Sequence, residues 1–405
     1  MKLRHLFSRS TVLLSGLLAF SASEPEARAD DRFAPVPAKV KPFVEQGEIS
    51  GAVMLVGDKD RILHLSAVGE SDLKSHREMR TDDLFWIASM SKPITAVAIA
   101  LLVDDGKLTF DDPVERHLPE FAGQWVTEES SATRRILVKA TRPITLRDLL
   151  THTSGVGEYA VTDPHWTLAE MSKVLAREPL RFQPGTRWGY STAGTDVLGR
   201  VVEKVSGQPF EVFLRQRLFE PLGMKDTGFY PSPEQEQRRA RDYRPSREPG
   251  KLEEITVGYL YGAAVMDPAR PPLGGAGLFS TAADIFQFYR MMLNGGTFDS
   301  HRILKSETVT EMTRKQTRDL TARPGMPWGL GFCVIEDPSK MEANATLSPG
   351  TFGHGGAHGT NSWADPQRGL ITLFMIQRDL LKPNPDDSPM RRAYQRAVAD
   401  ALAGR

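Results

Sequence analysis

Two apolar runs, GAVMLV and RILHLSAVG, lie between residues 49 and 68 and are separated by the polar stretch GDKD. Apolar runs of strand length on either side of a Gly/Asp turn predict an antiparallel hairpin. The period then changes. In LFWIASMSKPITAVAIALLVDDGKL, residues Ile94, Val97, Ala98, Leu101 and Leu102 recur at helical spacing, and Gly106 ends the run. From about 112 to 245 the periodic segments are helical: TLRDLLTHT, TLAEMSKVLA, STAGTDVLGRVVEKVSG and QPFEVFLRQRLFEPLG, with no clear strand pattern among them. A charged, proline-bearing stretch over 232–254 predicts a surface loop. After Gly262 come glycine-rich loops, a helix over 281–293, strand candidates at 329–335, 359–364 and 370–376, and a helix over 391–402.

Leading and trailing strands that enclose a helical block predict an α/β fold with a helical insertion. Segments 30–111 and 246–405 would together build one antiparallel sheet flanked by helices. Residues 112–245 would form a mainly α-helical domain, with the functional site at the interface.

The first 29 residues follow another pattern. Lys2, Arg4 and Arg9 precede an apolar stretch over 11–20, and Ala27-Arg28-Ala29 offers a small-x-small cleavage site. That order predicts a secretory signal peptide over 1–29 and a periplasmic or secreted mature chain. The apolar run is too short to span a bilayer, and no later segment has transmembrane character. Composition fits a globular chain of one large or two moderate domains: 405 residues, 40% hydrophobic and 25% charged. Basic and acidic side chains number 51 each, which gives no reason to expect a nucleic-acid partner. The single cysteine, Cys333, allows no intrachain disulfide, and its apolar surroundings predict a buried, inert thiol. The histidines form no HExxH or Cys/His cluster, there is no dinucleotide fingerprint, and no metal or other cofactor is implied. Oligomeric state is not legible.

The sharpest local feature is Ser89-Met90-Ser91-Lys92 at the start of the first long helix. Residues three apart share a helical face, so the Lys92 amine would lie beside the Ser89 hydroxyl. A serine hydroxyl needs a neighbour to take its proton, and a lysine desolvated among apolar residues can have its pKa lowered enough to do so. The preceding Phe85, Trp86, Ile87 and Ala88 place this lysine near a core.

Around that motif the chain resembles the serine β-lactamase and D,D-peptidase superfamily, in its class C-like branch and closest to the family VIII-type carboxylesterases. The matching blocks, in family order, are FWIASMSKP, LRDLLTHTSG, FQPGTRWGYSTAGTDVLG, GGAGLFSTAADI and FGHGGAHGT. The resemblance implies a β-lactamase/transpeptidase-like fold, with Ser89 acylated, Lys92 as its proton partner and Tyr190 as the tyrosine of the family's Y-x-N element. Positive charge on Lys92 would favour the Tyr190 phenolate as a second proton acceptor. The backbone N–H groups of Ser89 and Ala357 would form an oxyanion hole. His354, Gly355, Gly356 and Thr192 would touch substrate, and His358 competes with His354 for a place at the pocket. The THTSG and GGAG blocks are expected to support structure, with Thr281 or Ser280 capping the helix that follows.

Two departures bear on substrate. Where relatives keep K-[ST]-G and Y-x-N, this chain has His354 and Thr192. Losing a fixed cation and an amide weakens recognition of an anionic, amide-bearing substrate and leaves acyl transfer intact. The expectation is a serine carboxylesterase acting on small to medium acyl esters through an acyl-enzyme on Ser89. The alternatives are a β-lactamase or D,D-peptidase-like amidohydrolase, an acyltransferase using the same intermediate, or a binding protein that keeps the fold.

Overall fold

The computed structural model describes residues 31–404 apart from 132, 159–162 and 321–322; the expected signal segment lies outside the described residues. The leading hairpin forms as β1 (Gly51–Asp58) and β2 (Ile62–Asp72), with Leu55 opposite Leu65. Short β3 (Arg77–Glu78) extends it. The trailing strands are β4 (Cys333–Val334), β5 (Phe352–Gly355), β6 (Asn361–Asp365) and β7 (Leu370–Met375). They join in the order β4-β5-β6-β7-β1-β2-β3, so the last strand pairs antiparallel with the first, Val53 against Met375.

Strand β1 is buried on both faces because helices cover both. Side chains alternate across a strand, so Val53 and Leu55 point into one core and Ala52, Met54 and Val56 into the other. The first core is closed by α2 (Ser91–Asp104) and α4 (Ala282–Leu293), and the second by α1 (Val36–Glu45) and α5 (Pro389–Leu402). Helix α2 is buried at every position from Ser91 to Leu102. It packs against α3 (Thr192–Ser206), which begins just after Tyr190.

Four readings from the sequence needed revision. Helix α1 was not anticipated, because Pro37 and Pro42 obscure its pattern and Val36 and Val40 are its only buried residues. The region 112–245 contains a two-stranded ribbon, Trp125–Ser130 paired with Arg135–Lys139; its alternate residues are exposed, which leaves little apolar signal. The stretch 232–254 is more than a loop. It holds a short helix, Pro233–Gln237, and Asp242–Pro245 paired with Leu252–Ile255, whose Asp242 and Tyr243 are buried. The candidate over 329–335 pairs only at Cys333–Val334, since Gly329 and Gly331 turn the chain ahead of it.

Candidate active site

Ser89 stands in a 3-10 turn, Ala88–Met90, that leads directly into α2. Ala88 holds a left-handed backbone conformation, φ 46°. A non-glycine residue there stores strain of order 1–3 kcal/mol, and neighbours on every side over-determine it. Ser91 Oγ donates to Ala88 O at 2.7 Å, and Met90 N–H donates to Ile87 O at 3.0 Å.

Lys92 Nζ donates to Ser89 Oγ at 3.1 Å, to Gly275 O at 2.7 Å and to Thr192 Oγ1 at 3.4 Å. The amine also lies 4.7 Å from the centroid of the Tyr190 ring. Residues from the start of the chain, from the 112–245 segment and from the later loops therefore meet at one nitrogen. Burial lowers the Lys92 pKa to about 7, with the carboxylates of Asp196 and Glu158 opposing the shift. Near neutral pH much of the amine is thus unprotonated, with a lone pair to accept the Ser89 proton.

Tyr190 shares a side-chain hydrogen bond with Ser89, but burial raises its phenol well above the ordinary value. The expected phenolate is therefore disfavoured. Lys92 Nζ lies over the ring face, 4.7 Å from its centroid, and the raised pKa keeps the phenol protonated at neutral pH.

The GGAG loop does more than turn the chain. Thr95 Oγ1 donates to Gly274 O at 2.7 Å, Gly275 N–H to Asp196 Oδ1 at 2.8 Å, and Trp86 Nε1 to Ala276 O at 2.6 Å. One residue, Gly275, so receives Lys92 on its carbonyl while its N–H is held by Asp196, which fixes the peptide groups on both sides of it. A Cβ on Gly275 would lie 2.6 Å from Thr192 O, so only glycine fits. Glu158 accepts from the N–H groups of Thr192 at 2.6 Å and Ala193 at 3.1 Å, capping α3. Thr281, rather than Ser280, caps α4.

His354, on β5, is buried within an aromatic wall. Its ring centroid is 5.5 Å from that of Trp328 and 6.3 Å from that of Tyr190. His152, from the THTSG block, lies 4.4 Å from the Tyr190 centroid and 5.0 Å from that of Trp328. Burial lowers the His354 pKa to about 4, so the ring is neutral at pH 7. Its Nδ1 is 2.6 Å from Gly355 O, a group that can only accept, so the proton sits on Nδ1. Nε2 is buried with no hydrogen-bond partner among the described residues. A Cβ on Gly356 would lie 2.7 Å from Ile87 O, which brings the end of β5 onto the turn that carries Ser89. Ala357 packs with Trp86 and Ala88.

His358 is placed differently. Its Nδ1 pairs with Asp242 Oδ1 at 2.6 Å, and its ring stands edge-on to Trp86 at 4.7 Å. Cys333 is buried, and burial pushes its thiol pKa up. Sequence reading missed Glu158, Asp196, His152 and Trp328. Only Asp196 left a local trace, lying one helical turn beyond Thr192 on the same face.

Comparison with known proteins shows the family and the fold. The sequence model of the Beta-lactamase family matches residues 36–398. Esterase EstB of Burkholderia gladioli is 32% identical over 363 residues, covering 82% of this chain and 87% of the relative. Lovastatin esterase of Penicillium rubens is 35% identical over 322 residues, covering 73% and 77% respectively. Among solved structures, EstCE1, described as a hydrolase with promiscuous acyltransferase activity, superposes with a TM-score of 0.75 at 26% identity. That match covers 91% of this chain and 98% of EstCE1.

Proposed function

The chain belongs to the β-lactamase family, and from that premise we propose that it is a serine carboxylesterase that acylates Ser89. The observation that carries this reading is the contact between Ser89 Oγ and a buried lysine whose pKa is brought to about 7. Lys92 takes the serine proton as Oγ attacks the ester carbonyl. The developing oxyanion is met by the N–H groups of Ser89 and Ala357. Tyr190, kept protonated, donates to the departing alcohol and regains a proton from the attacking water; as the acyl–Oγ bond breaks, Lys92 returns its proton to Ser89 Oγ and the acid is released. Thr192, Gly355 and Gly356 line the substrate's path.

Preference for a neutral ester over a β-lactam rests on His354. At the position where relatives keep a lysine, this strand presents an uncharged ring in an aromatic wall. Esterase activity in EstB and lovastatin esterase supports the same choice. Small to medium acyl groups suit a site walled by Tyr190, Trp328 and His152.

The test compares kcat/KM on p-nitrophenyl butyrate and on nitrocefin, with intact mass of the acylated protein. Wild type should favour the ester, and Ser89→Ala should show no acyl adduct. His354→Lys should shift the ratio toward nitrocefin by roughly 5- to 30-fold, about 1–2 kcal/mol. A wild type that already prefers nitrocefin, with a ratio unmoved by the substitution, would return the chain to the amidohydrolase reading. Export follows from the N-terminal segment: in a bacterial host the mature protein should begin near Asp30. Recovery of cytoplasmic protein retaining Met1 would rule that out.

A further inference from the structure

Residues 187–190 lie in no helix or strand, so the backbone groups around Tyr190 need partners outside regular structure. His152 supplies two of them. Gly189 N–H donates to His152 O at 2.8 Å, and Ser191 N–H donates to His152 Nδ1 at 3.3 Å. Arg181 takes the carbonyls: its Nη2 donates to Gly189 O at 3.1 Å, to Tyr190 O at 3.0 Å and to Val156 O at 3.0 Å. The chain on either side of Tyr190 is therefore held through both its N–H groups and its carbonyls. Between these holds the phenol ring lies against the His152 ring, 4.4 Å from centroid to centroid and tilted by 38°.

His152 occupies its position against local preference. It follows the short helix Leu146–Leu150 in a left-handed backbone conformation, φ 59°. Glycine would turn the chain there with less strain, so the position is kept for its side chain. The residue is buried, and burial, followed by nearby Lys92, His354 and Arg181, pushes its pKa well below the ordinary value. The ring is thus neutral at pH 7. A backbone N–H can only donate, so Nδ1 is the acceptor for Ser191 and the ring proton sits on Nε2. A charged imidazole would have no lone pair to offer Ser191.

We propose that His152, together with Arg181, is a positioning clamp that sets the Tyr190 phenol within reach of the departing alcohol. The assignment rests on the ester reading for what Tyr190 does, though not for what holds it. Proton transfer requires hydrogen-bond reach, and a displacement of about 1 Å costs on the order of 10²-fold in rate. The consequence depends on the leaving group. p-Nitrophenolate departs without a proton. An alkoxide must receive one, from the Tyr190 hydroxyl, as its bond to the acyl carbon breaks. A displaced phenol therefore penalises alkyl esters selectively.

Hydrogen exchange at the Ser191 amide needs no substrate and is measured first. Protection should fall at least roughly 10-fold in His152→Phe, which keeps a ring and loses the acceptor. It should be retained in His152→Asn, whose Oδ1 stands near the Nδ1 position and whose backbone tolerates the left-handed turn. Next, kcat/KM, which covers the step in which the alcohol leaves, is compared on ethyl butyrate and p-nitrophenyl butyrate. His152→Phe should lower the ethyl ester value at least about 10-fold more than the aryl ester value, and His152→Asn should restore most of that ratio. If His152→Phe does not fold, Arg181→Met decides: Arg181 is exposed, and its loss should lower the same ratio at least roughly 3-fold. An unmoved ratio in that variant would overturn the clamp. So would equal losses on the two esters in His152→Phe, the mark of a merely structural residue, or Ser191 protection unchanged by it. A wild type that forms no adduct on Ser89 with either ester, while Ser191 protection still follows the substitutions, would overturn the ester reading and leave the hold on Tyr190 standing.

Discussion

Lys92, 1% exposed, is the buried ionisable group in contact with Ser89 Oγ. Burial drives it toward neutrality, while Asp196 and Glu158 pull it back toward the cation, and the balance falls at about 7. Only the unprotonated amine accepts a proton. The acid limb of kcat/KM should therefore rise with pH through about 7, and His354, neutral above about 4, should add no step there. Replacing Asp196 with asparagine keeps an acceptor for Gly275 N–H and removes the charge that favours the cation. The limb should then move to lower pH by about one unit. A limb that stays in place, measured on p-nitrophenyl butyrate between pH 5 and 9, would mean that another group controls it. The Ser89–Lys92 pair was legible because both residues lie in one helical turn. The carboxylates that tune it were not, since Glu158 and Asp196 arrive from other elements and make their contacts through backbone and space.

Elements that look like plain connectors hold the site in register. The loop over 274–277 is fixed by Thr95, Asp196, Lys92 and Trp86, four side chains from two stretches of the chain, 86–95 and the helix bearing Asp196. Gly275→Ala would press a methyl group against Thr192 at 2.6 Å and push the carbonyl away from Lys92. The expected outcome is a loss of stability of about 1–3 kcal/mol in urea unfolding, together with a fall in kcat. Gly228→Ala, with open space around its Cβ, should leave both unchanged and serves as the control. The main strands and long helices could be read from period, because β1, β2, β7, α2 and α3 carry strong apolar patterns. The ribbon at Asp242–Pro245 could not, because its burial pattern follows from docking against 377–379 rather than from its own sequence.

At the scale of the whole molecule, the antiparallel sheet with helices on both faces was foreseeable from strands at the two ends of the chain. The strand order was not, since no local signal says that β7 lies between β6 and β1. That order bears on how the chain folds. Strand β1 has β2 on one side as soon as the hairpin forms, but its other edge waits for β7, more than 300 residues later in the chain. At ribosomal speeds of roughly 5–20 residues per second, that wait lasts tens of seconds. A chain ending at residue 350 should accordingly show no slow-exchanging amides at Val53 or Leu55, and persistent protection there would mean that the hairpin is stable by itself. Throughout synthesis, the apolar edge of β1 is an unpaired template open to other nascent chains. Yield on expression should therefore depend more on temperature and on available holdase chaperones than the stability of the finished protein would suggest.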